Sequence, residues 1–140
     1  MNLEEILEEY LNLDDDTRIK KANECVARIS TYLSENYGKT SAHHTICQMF
    51  AVFCCIDGVI SYKEYELFLG YIKTNYTYEN FCNDMKNGQS ECVIDDLFCE
   101  LEDEEDEFMS DVMMLLLCIV TTNKVVTTSE KDFINKYFLD

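Results

Sequence analysis

The chain has 140 residues, 47% of them hydrophobic, with four glycines, no proline and a formal net charge of −17. That length suits one domain, residues 1–140, burying roughly two-thirds of its unfolded surface, and the scarcity of turn formers excludes a β-rich fold in favour of an all-α bundle. The strong negative charge excludes direct binding to nucleic-acid phosphates or an anionic bilayer, both of which require a basic surface.

Seven or eight helices are expected. Leu3, Ile6, Leu7, Tyr10 and Leu11 recur at helical spacing, and Asp14-Asp15-Asp16-Thr17 supplies a turn and a cap before a second helix carrying Ile19, Ala22, Val26, Ile29 and Leu33. That helix is expected to stop near Gly38. A third starts at Thr40 or Ser41 and is apolar almost all round from Met49 to Ile56, which makes it central. A fourth presents Tyr65, Leu67, Phe68, Tyr71 and Ile72 and ends near Asn75. Thr77 caps a short fifth helix, and Asn87-Gly88-Gln89-Ser90 marks a mid-chain break with Ser90 capping a sixth, through Val93, Ile94, Leu97, Phe98 and Leu101. An acidic stretch precedes a seventh, Phe108 to Val120, and Phe133, Ile134, Tyr137 and Phe138 form the last. The acidic start Met1-Asn2-Leu3-Glu4-Glu5 is unlike a secretory leader, and Val112 to Val120 falls far short of the roughly 20 residues of a bilayer span. The chain therefore reads as cytoplasmic, with no direct membrane insertion. Of its eight cysteines, Cys25, Cys47, Cys54, Cys55 and Cys118 sit in apolar helical patterns and read as reduced core thiols.

One pattern occurs twice. Ile56-Asp57-Gly58-Val59-Ile60-Ser61 with Glu64, and Thr122-Asn123-Lys124-Val125-Val126-Thr127 with Glu130, each follow an apolar helix and precede an amphipathic one. Ser61 and Thr127 are placed as N-caps, Glu64 and Glu130 as the partners that close a capping box, and Ile60 and Val126 as hydrophobic staples. The repeat aligns residues 49–68 with 115–134.

This doubled helix-loop-helix resembles the TerB-like family of tellurite-resistance proteins, and the N-terminal domain of some membrane-anchored DnaJ-type co-chaperones, over roughly residues 15–140. The resemblance implies a helical bundle with internal pseudo-symmetry, no established catalytic activity, a role in stress response, and acidic loop residues that bind a metal. Carried onto this sequence, those residues are Asp57 and Glu64, with Asn123 and Glu130 in the second copy. Asn123 and Lys124 depart from the aspartate and glycine the pattern expects.

Read without the family, Asp57, Gly58 and Glu64 match only the later half of an EF-hand loop; Phe53 and Cys55 stand where its first oxygen ligands belong. What remains open is a looser site for a divalent cation, calcium or magnesium rather than zinc, that pools oxygens from both loops. Against it, Asp57-Gly58 is a turn and Glu64 is occupied by its cap. His43, His44 and Cys47 have a spacing zinc could use, but two ligand types without a Cys-x-x-Cys pair do not make a zinc site, and helix-start histidines beside a buried thiol are the preferred reading.

No nucleophile, base and orienting group assemble, so no enzyme is expected. No lysine or arginine occurs between Lys86 and Lys124, an interval that holds the run Glu102-Asp103-Glu104-Glu105-Asp106-Glu107. This run is either a solvated loop and first helical turn or a surface that docks a partner protein with a basic face. Two functions follow: an acidic module binding a divalent cation or a partner, or a metal-free adaptor docking a basic protein.

Overall fold

Side-chain caps set most of the helix starts. A computed structural model describes residues 2–72 and 75–139, which contain eight α-helices and no strand. The Asn2 Oδ1 accepts from the Glu5 N–H at 2.9 Å to open α1 (Leu3–Leu11), and Asp14 Oδ1 accepts from the Thr17 N–H at 2.7 Å to open α2 (Asp15–Tyr37). Gly38 alone, at φ 90, separates α2 from α3 (Lys39–Cys54), which therefore begins before the expected Thr40 or Ser41. Next come α4 (Tyr62–Ile72) and α5 (Tyr78–Met85), the latter capped by Thr77 as expected. The expected end of α4 near Asn75 falls partly on residues 73–74, outside the described set.

Where a break was expected at Asn87 to Ser90, the chain makes a 3₁₀ turn, Lys86–Gln89, packed tightly on α3. The buried Gly88 explains it. A Cβ there would lie 1.8 Å from the Ala51 carbonyl oxygen and 2.9 Å from the Val52 nitrogen, so only glycine lets the turn touch the α3 backbone. Ser90 is the N-cap of α6 (Glu91–Leu101), but its side chain makes no capping bond. Helix α7 (Asp106–Thr121) starts two residues before Phe108, because Asp106 and Glu107 suit a first turn whose N–H groups are unpaired. Helix α8 (Thr128–Ile134) runs into a wide π turn, Asn135–Leu139.

The core has two central helices. Ile46, Met49, Phe50, Val52, Phe53 and Cys54 of α3 are buried as expected, and in α7 every residue from Leu115 to Thr121 is buried. These helices occupy equivalent places in the repeat, and α2 packs across both through Ala22, Cys25, Val26, Ile29 and Leu33. Stacked aromatics pin the C-terminus: Phe98 lies on Tyr137 at 4.2 Å between ring centres, and Phe53 meets Phe133 and Phe138 edge-on. All eight cysteines are free thiols; Cys25, Cys54, Cys55 and Cys118 are buried, whereas Cys47 is half-buried at the edge of the core.

Candidate functional site: the paired loops and the acidic face

The loops after α3 and α7 make the same turn. The Gly58 N–H donates to the Cys55 carbonyl at 3.0 Å, and the Lys124 N–H to the Thr121 carbonyl at 3.0 Å. Both turns need a left-handed residue: Gly58 has φ 81 and Lys124 φ 66. Glycine adopts this freely, whereas a lysine bears a cost of about 1 kcal/mol. The Lys124 side chain is used in turn, its Nζ donating to the Leu13 carbonyl at 2.8 Å.

Both capping boxes form. The Glu64 N–H donates to Ser61 Oγ at 3.1 Å while Glu64 Oε1 accepts from the Ser61 N–H at 2.8 Å. In the second copy the Glu130 N–H donates to Thr127 Oγ1 at 3.2 Å, and Glu130 Oε1 accepts from the Thr127 N–H at 2.9 Å and its hydroxyl at 3.1 Å. Ile60 and Val126 pack against the core, leaving Val59 and Val125 64% and 68% exposed at the loop tips; the residue that a staple from Val126 would meet is Lys131, which is not apolar. Asp57 Oδ1 accepts from the Val59 N–H at 3.0 Å, and Asn123 is exposed.

The two glutamates are buried carboxylates, 4% exposed at Glu64 and 6% at Glu130. Burial pushes Glu64 up to about 7; the bonds from Ser61 and the neighbouring Cys54 thiol pull it down, and the Asp57 charge pushes it up again. Glu130 is raised by burial in the same way, and Asp57 adds to that rise as well. The Asp57 charge adds to the rise at both glutamates, and Lys63 and Lys124, one from each copy, both reach Asp15, so the two copies converge on one end of the bundle. Among the described residues, no three His, Cys, Asp or Glu side chains are placed to hold a metal ion together.

The acidic run lies elsewhere, between α6 and the first turn of α7. Glu102, Asp103, Glu105, Asp106 and Glu107 are exposed. Glu104 turns inward: it is half-buried, and Tyr37 donates its hydroxyl to Oε1. Glu91, Asp95, Asp96 and Glu100 extend the exposed acidic surface along α6.

Sequence reading misses Arg18, because a lone basic residue after a capping aspartate looks solvated. It is 1% exposed. Its Nε donates to Thr121 Oγ1 at 3.2 Å, Nη1 to Asp15 Oδ1 at 3.0 Å, and Nη2 to the carbonyls of Tyr10 and Leu13 at 2.8 and 2.9 Å. One guanidinium therefore ties the α1–α2 corner to the start of the second loop. Asp15 also meets Lys63 at 3.5 Å and Lys124 at 3.7 Å, one lysine from each loop copy.

No family model, curated protein or solved structure matches the chain. No helix among the described residues is long and apolar enough to cross a membrane.

Proposed function

We propose that this chain is a non-enzymatic, acidic helical interaction module of the TerB-like kind, acting in the cytoplasm by docking a basic partner protein. The observation that carries this reading is the face made by α6, the loop after it and the first turn of α7. Its exposed carboxylates include Asp95, Asp96, Glu100, Glu102, Asp103, Glu105, Asp106 and Glu107, with no lysine or arginine in that part of the sequence. Arg28, paired with Asp111, borders this face beside Glu105 and Glu107, yet carboxylates predominate, and such a surface steers an oppositely charged partner and penalises acidic ones.

A labelled lysine-rich peptide, titrated at several salt concentrations, tests the reading against two charge-matched variants. One neutralises Glu102, Asp103, Glu105, Asp106 and Glu107; the other neutralises Glu5, Glu8, Glu9, Glu24 and Glu79, which are exposed on other helices. The face variant should weaken binding by about tenfold, or 1.4 kcal/mol, and flatten its salt dependence, with a much smaller effect in the control. Equal losses in both variants would reduce the binding to diffuse charge and remove the face.

A second reading, divalent-cation binding for a stress response, is favoured by one observation: the Asp57 charge bears on Glu64 and Glu130 together. A saturable rise in thermal stability with calcium or magnesium at high salt, lost in Asp57→Asn, would support it. No shift, or an equal small shift for every divalent ion, would leave these carboxylates as caps.

A further inference from the structure

Away from the loops and the acidic face, a cavity of about 400 Å³ opens between α3, α4 and α5. His43, Cys47, Gln48 and Asp84 line it. His43 and Cys47 are one helical turn apart on α3, which brings Cys47 Sγ to 3.5 Å from His43 Nε2. The other ring nitrogen, Nδ1, lies 2.8 Å from the Tyr71 hydroxyl. With Nδ1–H donating to Tyr71, the Nε2 lone pair faces the sulfur. Tyr71 also lies against the imidazole with ring centres 5.7 Å apart, fixing its orientation.

That separation has a chemical meaning. Ligand bonds of about 2.3 Å to sulfur and about 2.05 Å to nitrogen, meeting at a tetrahedral centre, put the two donor atoms about 3.5 Å apart. The second-shell bond on Nδ1 is what metal-bound histidines use to hold tautomer and ring in place. A third observation comes from the same lining: Gln48 Oε1 is buried with no hydrogen-bond donor among the described residues. A buried acceptor of this kind calls for a partner.

We propose that His43 Nε2 and Cys47 Sγ anchor a thiophilic divalent cation of the zinc class at the mouth of this cavity, with the Gln48 amide oxygen and solvent completing its shell. Nitrogen and sulfur donors select such an ion over calcium or magnesium. Binding replaces the Cys47 S–H bond by a sulfur–metal bond and releases that proton to water. Burial and then the Asp84 charge oppose a bare thiolate at Cys47, whereas Asp84, which accepts from the Tyr76 hydroxyl, attracts a cation. His43 is exposed, so the ion has a route in. With only two strong protein donors, the site suits an exchangeable ion with open positions, not a buried structural one. The inference is independent of the partner-docking reading.

Cobalt(II) serves as the probe, titrated into reduced protein at high salt to screen the diffuse charge. A single saturable event with a thiolate-to-cobalt charge-transfer band is expected, and zinc should displace it. Cys47→Ser should abolish the band. His43→Ala and Tyr71→Phe should each weaken binding by about tenfold or more, while Cys92→Ser with Cys99→Ser, which removes the two exposed thiols, should leave it intact. A band that survives Cys47→Ser, disappears with Cys92 and Cys99, or never forms would overturn the site. Zinc protection of Cys47 from alkylation, read by mass spectrometry on the unaltered chain, gives an answer even if a variant misfolds; unprotected Cys47 would count against the site.

Discussion

Replacing Glu64 by glutamine should remove a pH dependence that the first loop imposes on the whole fold. Glu64 is 4% exposed, and burial raises it from 4.5 to about 7. The folded chain therefore holds a proton at Glu64 that the unfolded chain gives up above pH 4.5. Its contribution to stability is fully present below about 4.5 and is lost as pH rises through about 7. A rise of about 2.5 units at 1.36 kcal/mol each makes that loss about 3 kcal/mol. Glutamine keeps an oxygen for the Ser61 N–H and carries no charge at any pH. Urea unfolding of both proteins at pH 5, 6, 7 and 8 and constant ionic strength isolates the effect, because every other titrating group is shared. The two should be close at pH 5, and by pH 8 the variant should be more stable by about 3 kcal/mol. A stability difference that stays constant across this range would refute the argument that burial governs Glu64.

Gly88→Ala should be the most damaging small substitution: relieving a 1.8 Å approach to the Ala51 carbonyl requires the 3₁₀ turn to move away from α3 by more than 1 Å. A cost of about 3 kcal/mol, spread over an unfolding entropy of about 0.3 kcal/mol/K for this length, lowers Tm by about 10 °C, and Gly58→Ala should cost only about 1 kcal/mol. At Arg18, lysine should be worse than methionine in chemical denaturation. Lysine keeps a buried charge but loses the planar fork, at about 3 kcal/mol, whereas methionine removes the charge from sites that retain other partners, such as the Lys124 bond to the Leu13 carbonyl; the reverse order would count against the network. Thr127→Ala should cost about 1 kcal/mol by calorimetry through loss of its capping box.

The helices and both capping boxes were legible because each rests on local chemistry. Asp14, Thr77 and Thr127 satisfy N–H groups within three residues of themselves, so spacing alone locates them. Ser90 shows the limit, since it holds the cap position without making the bond. What was not legible depends on contacts distant in sequence. Arg18 reaches Thr121 across 103 residues, and no periodicity marks that pairing. Gly88 looks like punctuation until α3 is laid against it. Glu104 belongs to an acidic run by composition, yet Tyr37 draws it inward. His43 and Cys47 have the right spacing on their own, but the orienting partner, Tyr71, comes from α4, 28 residues on from His43.

The charge pattern itself follows from α7. The helix runs from Asp106 to Thr121, so its ends are about 24 Å apart. The acidic run lies at its N-terminus and the Arg18, Lys63 and Lys124 group at its C-terminus, where Arg18 touches Thr121 and both lysines meet Asp15. Both placements complement the helix dipole, positive at the start and negative at the end. That complement acts within the first turn, so it accounts for Asp106 and Glu107 at about 0.3–1 kcal/mol each. It does not account for Glu102 and Asp103, which lie before the helix, are exposed and have no ion-pair partner among the described residues. Mutual repulsion there acts against the fold, with no ion pair among the described residues to offset it. These two residues are therefore where partner docking and fold stability separate: neutralising them should stabilise the isolated protein while weakening its hold on a basic peptide, whereas neutralising Asp106 and Glu107 should weaken both.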